Sequence, residues 1–350
     1  MKFEAITIKD IAKALGLSTS TVSRALRDSY QISPETKKLV LEYAKNINYS
    51  PNPIALSLKE KRSRSIGVIV CEIANSFFSQ AINGIESIAY DRGYNVIITQ
   101  SHESYEREVN DLQFLASRSI DGLLISVSSE TKDFNHLIQL QNKGLPIVFF
   151  DRIVENIETH KVIVNNYKGS YDATTHLIKN GYRRIAHLAN SESLSITKER
   201  IAGYRDALSH HGIDLVESYI IHCAHGGMIY EEIEQALDQI MKQDTMPEAF
   251  FAAGDKLTTG FLRYFKSKGI KVPEEIAIAG FSNLDLTDLI NPPLTVVRQP
   301  AFEMGKAAAN LLLSQVESKR PVTGFQKMVL EPELVIRDSS GEKLGVRYEV

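Results

Sequence analysis

From residue 66 to residue 299, nine short apolar runs alternate with longer amphipathic stretches, and this alternation limits the fold more than any other feature. The runs are IGVIV, VIIT, GLLIS, PIVFFD, KVIV, RIAHLA, AFFAAGD, EIAIAGF and LTVVRQ. They are rich in β-branched residues and show little polar alternation. Strands of that kind are buried on both faces, as in a parallel sheet covered by helices. The alternation therefore predicts doubly wound α/β architecture. The chain contains neither G-x-G-x-x-G nor a Walker A sequence, so a dinucleotide or phosphate-loop site lacks its signature.

The first 50 residues follow a different pattern. Ile8, Ile11, Ala12 and Leu15 recur at helical spacing, and Gly16 stops that helix. Ser18 is a suitable N-cap for a second helix over Thr19–Leu26. Ser33-Pro34 is a cap followed by proline at a first helical position, where the missing N–H is harmless. Leu39, Val40, Tyr43, Ala44 and Ile47 form the apolar stripe expected of a third helix. Three short helices, with a tight turn between the first two, predict a helix-turn-helix. Residues 51–65 read as a linker containing one or two turns of helix at Ile54–Leu58, too short to be stable alone.

Charge separates the same two regions. Residues 1–64 carry 12 basic and 6 acidic side chains, whereas the remainder carries 28 basic and 37 acidic ones. A basic head on an acidic body points to a polyanionic partner for the head alone. In a helix-turn-helix the second helix enters the major groove and projects its N-terminal side chains onto base edges. Thr19, Ser20 and Arg24 are then base-reading candidates, and an Arg24–guanine contact would discriminate by roughly 1–3 kcal/mol. Ser18 and Thr21 are placed for phosphates, at the positive end of the helix.

These segments have a family likeness. TIKDIAKALGLSTSTVSR, from Thr7 to Arg24, and NYSPNPIALSL, from Asn48 to Leu58, resemble the lac repressor (LacI/GalR-type) family of bacterial regulators, and the resemblance continues through the core. It implies a sequence-specific DNA-binding regulator, a repressor by type, acting as a homodimer on double-stranded operator DNA. It also implies that Ile54–Leu58 is a hinge helix, with Leu58 wedged in the minor groove and Ala55 lining it. Pro53 stands where some relatives have another residue.

The resemblance further implies a periplasmic-binding-protein-like core of two doubly wound parallel-sheet lobes, with a small-molecule effector between them. The expected division is a headpiece over 1–50, a hinge over 51–65, a core over 66–340 and a tail over 341–350. The N-lobe would take about 66–160 and 292–324, and the C-lobe about 161–291 and 325–340. Asn75, Phe77 and Phe78 correspond to a family N-P-F-F segment, with Ser76 in place of proline. Asp151, Arg152, Arg200, Asp255, Ser282 and Gln299 complete the implied effector set. Gly254 and Ser282 replace side chains that bind sugar hydroxyls in relatives. A missing carboxylate at position 282 leaves Arg152 and Arg200 less compensated, so a sugar acid or sugar phosphate joins a plain sugar as the expected effector.

Several classes are disfavoured. No run reaches the roughly 18 apolar residues of a membrane span, and the first residues lack a signal-peptide pattern. Two cysteines, Cys71 and Cys223, suit a reducing compartment. A cytoplasmic protein without membrane association is expected. His222-Cys223-x-His225 matches no standard zinc spacing. Asp151, Asp255 and His187 could be assembled into a catalytic set, but a nucleophile elbow is missing. No cofactor, metal or enzymatic activity is expected.

Overall fold

Thr7 and Gly16 set the ends of the first helix, α1 (Ile8–Leu15), in a computed structural model that describes residues 6–49, 62–243 and 245–343. Asp10 Oδ2 accepts the Thr7 N–H at 2.8 Å and its hydroxyl at 2.7 Å. Gly16 takes the left-handed conformation (φ 65°) that a side chain would resist, and so ends the helix. In α2 (Thr19–Ala25), Ser18 Oγ accepts the Thr21 N–H at 3.0 Å. α3 (Pro34–Asn46) begins with Ser33 as cap and proline at its start. Ile11, Ala12, Val22, Ala25, Val40 and Ala44 form the headpiece core. Leu39 is 49% exposed, contrary to its expected place in the α3 stripe. It lies about 100° around the helix from Val40, beyond the reach of the two other short helices. The hinge segment Ile54–Leu58, with Ala55 and Leu58, lies outside the described residues, as does the tail beyond 343.

The chain divides into two units, residues 1–64 and 65–350. The second contains two sheets of the same design. The N-lobe sheet is built from β1 (Ser65–Val70), β2 (Asn95–Gln100), β3 (Gly122–Ile125), β4 (Ile147–Phe150), β5 (His160–Val164) and β11 (Lys327–Leu330), ordered β11-β5-β4-β3-β1-β2 and wholly parallel. The C-lobe sheet holds β6 (Ile185–Ala189), β7 (Ile220–His222), β8 (Ala249–Ala252), β9 (Ala277–Phe281), β10 (Thr295–Arg298) and β12 (Glu333–Val335), ordered β12-β10-β9-β8-β6-β7. Only its edge strand β12 is antiparallel, to β10.

The lobe boundaries differ from those expected. β5 still pairs in the N-lobe sheet, with crossing after Val164 rather than near 160. β10 pairs with β9, so Thr295–Arg298 belongs to the C-lobe, and the second crossing falls at 299–300 rather than 291. β11 pairs with β5, so the third crossing follows Leu330 rather than 324. The reason is common to all three: ladder hydrogen bonds hold each strand to its C-terminal end, and the chain is free to change lobes only beyond it.

The helices on these sheets include α4 (Ser76–Asp91), α5 (Tyr105–Ser117), α6 (Asn135–Asn142), α7 (Asn166–Lys179), α8 (Ser195–His210), α9 (Tyr230–Ile240), α10 (Asp255–Lys268) and α11 (Ala301–Glu317). Two glycines bring α4 and α11 into backbone contact. A Cβ on Gly84 would lie 2.0 Å from the Phe302 carbonyl oxygen, and one on Gly305 would lie 2.0 Å from that of Ala81. The start of α4 is thereby held on a rigid support.

Candidate functional site

The headpiece offers one surface. Ser18, Thr19, Ser20 and Arg24 are exposed, and Thr21 is half-buried. Val22 and Ala25 point into the core, so the opposite face of α2 is turned outward. Ser18 Oγ lies 2.7 Å from Ser20 Oγ and 2.8 Å from Thr21 Oγ1. These hydroxyls cluster at a helix N-terminus, where N–H groups favour anionic oxygens.

A cleft in the second unit forms where the strands of both lobes end. Asn75 follows β1, Asp151 and Arg152 follow β4, and Asp255 follows β8. Open parallel sheets bind ligands at such ends, because loops there can converge on one point. Asn75, Phe77, Phe78, Asp151, Arg152, Arg200, Asp255 and Gln299 all line a single cavity of about 60 Å³.

Asn75 caps α4, its Oδ1 accepting the Phe77 N–H at 2.9 Å. Phe77 and Phe78 meet edge to face at 5.3 Å, and both also belong to the N-lobe core. Asp151 has a left-handed backbone (φ 61°), and its carboxylate is loosely held, accepting a long hydrogen bond from Ser126 Oγ at 3.5 Å and lying 3.9 Å from Arg152 Nε. Burial raises its carboxyl above the usual range.

The two arginines are held differently. Arg152 Nη1 and Nη2 donate to Glu103 Oε2 at 2.7 Å and Oε1 at 2.8 Å. Arg200 donates to neutral acceptors, Asn166 Oδ1 at 2.8 Å and the Ala253 carbonyl at 2.6 Å. Its guanidinium lies 3.8 Å above the Phe281 ring. Burial, with no bonded carboxylate among the described residues, pulls Arg200 down to about 10.

Two expectations need correction. Ser282 does not line the cavity; its hydroxyl donates to Asp255 Oδ1 at 2.6 Å, so it stands behind that carboxylate. A serine is too short to pass Asp255 and reach the cleft. Arg152 is not under-compensated, because Glu103 pairs with it at 2.7 Å. Asp255 also accepts the Asn283 N–H at 2.8 Å, while burial raises its carboxyl above the usual range.

Glu103 and Asn190 line the cleft without having been singled out from the sequence. Both follow strand ends, β2 and β6, so the strand-end rule could have found them. Several contacts join the lobes beside the cleft. Lys256 Nζ lies 3.0 Å from Glu72 Oε2, Ser193 Oγ donates to the Ser129 carbonyl at 2.8 Å, Gln80 Nε2 donates to the Asn283 backbone carbonyl at 3.0 Å, and Asn283 Nδ2 donates to Gln80 Oε1 at 2.8 Å.

Two buried donors on the lining residues, Arg152 Nε and Gln299 Nε2, have no hydrogen-bond partner among the described residues. His187 is in the C-lobe core, stacked between Tyr204 and Phe251, and does not line the cleft. Cys223 is fully buried, His222 bonds the Asn190 carbonyl, and His225 faces Glu232. Among the described residues, no group of His, Cys, Asp or Glu gathers as metal ligands would, and no helix is long and apolar enough to cross a membrane.

Two family models match the chain. Residues 7–52 match "Bacterial regulatory proteins, lacI family", and residues 63–327 match "Periplasmic binding proteins and sugar binding domain of LacI family". The HTH-type transcriptional repressor CytR of Escherichia coli is 34% identical over 336 residues, 96% of each chain. A transcriptional regulator CelR–cellobiose complex is similar in structure, with TM-score 0.70 and 28% identity over 95% of this chain and 99% of the other. The lac repressor dimer bound to operator and the anti-inducer ONPF superimposes with TM-score 0.80 over 97% of this chain and 100% of the other, at 24% identity.

Proposed function

The chain belongs to the lacI family of bacterial regulatory proteins and is a DNA-binding transcription regulator, and we propose that it is a cytoplasmic repressor whose effector is a neutral, hydroxyl-rich sugar bound between the lobes. One observation carries the choice of effector. The cleft offers acceptors and donors together: the loosely held Asp151 carboxylate beside Arg152 Nε and Gln299 Nε2, which lack hydrogen-bond partners among the described residues. A hydroxyl both donates and accepts, so a polyol can satisfy this mixture. Phe77 and Phe78 provide the apolar surface against which a sugar ring packs. The similarity to a cellobiose-bound regulator supports the same class.

In this reading two copies of the chain bind a pseudo-palindromic operator. Thr19, Ser20 and Arg24 contact bases, and Ser18 and Thr21 contact phosphates. Ala55 and Leu58 enter the minor groove. Sugar binding biases the lobes toward one arrangement and thereby changes the hinge. The coupling is reciprocal: DNA alters sugar affinity by the same factor as sugar alters DNA affinity.

The test uses the full chain. A thermal-shift screen of neutral sugars, uronates and sugar phosphates identifies the ligand, since a ligand at 100 times its Kd stabilises by about 2.7 kcal/mol. Fluorescence anisotropy with operator DNA then measures coupling. We expect a neutral sugar to be the best stabiliser and to change operator affinity at least fivefold, with affinity falling steeply as salt is raised. A best stabiliser that is anionic, or a sugar that leaves operator affinity unchanged, would sink the proposal.

A further inference from the structure

Glu103 has an unusual backbone. It and His102 are consecutive non-glycine residues with positive φ, 64° and 47°. Such conformations persist only when surrounding structure fixes them, and they cluster at functional positions. Backbone bonds from His102 N–H to the Cys71 carbonyl at 2.9 Å and from Ser104 N–H to the Ser101 carbonyl at 3.0 Å hold this segment, and the Glu103 carboxylate adds to them. Besides the two bonds from Arg152, Oε2 accepts the Ser129 N–H at 2.8 Å. Burial pushes this carboxyl up, but Arg152 outweighs burial and keeps it below the usual range. The pair is therefore ionised although only 5% and 8% of the two residues is exposed.

The geometry matters for ligands. The two terminal nitrogens of a guanidinium form the fork that binds carboxylate or phosphate in two-point fashion. In Arg152 that fork is already filled from inside the protein. Its Nε–H, 3.9 Å from Asp151 Oδ2, remains without a hydrogen-bond partner among the described residues, enough for one hydroxyl. An anion entering the cleft would also meet Glu72, Asp151 and Asp255 on the lining; of the two other cations there, Lys256 is paired to Glu72, and Arg200 donates to Asn166 Oδ1 and the Ala253 carbonyl.

We propose that Glu103 is the specificity-determining residue of the cleft, occupying the Arg152 fork so that neutral polyols are accepted and carboxylates and phosphates are refused. The proposal deepens the sugar-effector reading and rests on it. Glu103→Gln keeps the shape and removes the charge, and so exposes Arg152 to an external anion.

Isothermal titration calorimetry on the full chain tests this with matched probes: D-ribose against D-ribose 5-phosphate, D-glucose against D-glucuronate, and inorganic phosphate alone. In the wild type, the neutral member of whichever pair binds should be at least 100-fold tighter. In Glu103→Gln, the anionic member and inorganic phosphate should each gain at least tenfold. The double variant Glu103→Gln/Arg152→Gln should lose that gain, which a merely structural role for Glu103 would not produce. A wild type that binds the charged member as tightly as the neutral one overturns the proposal, even if the variant fails to fold. So does a folded Glu103→Gln whose preference is unmoved. If the wild type binds neither sugar but Glu103→Gln gains the anions, the sugar reading falls and the role of Glu103 stands.

Discussion

The two walls of the cleft use the same residue types in opposite ways. On the N-lobe wall the arginine is bound by a carboxylate, Arg152 by Glu103, while the aspartate, Asp151, is loosely held. On the C-lobe wall the aspartate is bound, Asp255 accepting from Ser282 and Asn283, while the arginine, Arg200, has only neutral acceptors and a ring face. Each wall thus ties one charged group to an opposite charge or to fixed donors. Asp151 remains as a loosely held acceptor, and Arg200 as a donor engaged by neutral groups.

Truncating the two arginines gives the largest contrast. Arg152→Ala strands an ionised Glu103 in a buried site. Breaking a buried pair from one side costs about 3–5 kcal/mol, to be read from urea unfolding midpoints. Arg200→Ala strands no carboxylate and should cost less than half as much stability. Equal losses would erase the distinction between the walls. For sugar binding the order reverses. Arg200→Ala should weaken the affinity of the neutral sugar at least 100-fold, about 2.7 kcal/mol, while operator binding without sugar is retained. Calorimetry alongside anisotropy checks both halves of that expectation.

This asymmetry was only partly legible in the sequence. Asp151, Arg152 and Asp255 could be placed because apolar runs mark strands, and residues just past parallel strands converge. Arg200 needed the family likeness, since it lies inside α8 rather than at a strand end. What escaped was every feature set by a distant partner. Glu103 reaches Arg152 across 49 positions of sequence, and Ser282 reaches back across 27 to Asp255. The lobe crossings escaped for a related reason: β5, β10 and β11 are assigned by the strand beside them, which local composition does not name. In the headpiece, by contrast, the helix caps lie within four positions of their partners, and α1 begins and ends at the expected residues.

The lobes should also part company with pH. His187 is fully buried between two rings, and burial lowers it from 6.5 to about 3. It is neutral in the folded chain and takes up a proton on unfolding, so its contribution is intact above pH 6.5 and is lost as pH falls toward 3. The loss is about 1.4 kcal/mol per pH unit, or about 2 kcal/mol at pH 5. Asp151 and Asp255, raised by burial, act with the opposite sign and gain stability as they protonate. Comparing wild type with His187→Phe isolates the histidine. The variant should lose less stability between pH 7 and pH 5, and hydrogen exchange should show C-lobe strands opening first in the wild type. Identical pH slopes would remove His187 from this account.

The smallest effect is expected where the walls touch. Gln80, on α4, and Asn283, just beyond β9, exchange hydrogen bonds across the cleft. Asn283 also donates its N–H to Asp255 and its side-chain N–H to the Gln299 carbonyl. The contact that joins the lobes is thus one bond removed from a carboxylate on the cleft. Gln80 does not line the cleft, so Gln80→Ala removes the joint without removing a ligand contact. Affinity for a ligand that needs closed lobes falls in proportion to the closed fraction. Losing these neutral bonds is worth about 1 kcal/mol, so sugar affinity should fall about fivefold, with most of the change in dissociation rate. Stopped-flow dissociation measures it. Gln80→Glu places a second carboxylate near Asp285, which Gln80 now contacts at 3.4 Å, and should weaken binding further. If both variants leave dissociation unchanged, the amide exchange is incidental to closure, and the walls are held by the Lys256–Glu72 and Ser193–Ser129 contacts instead.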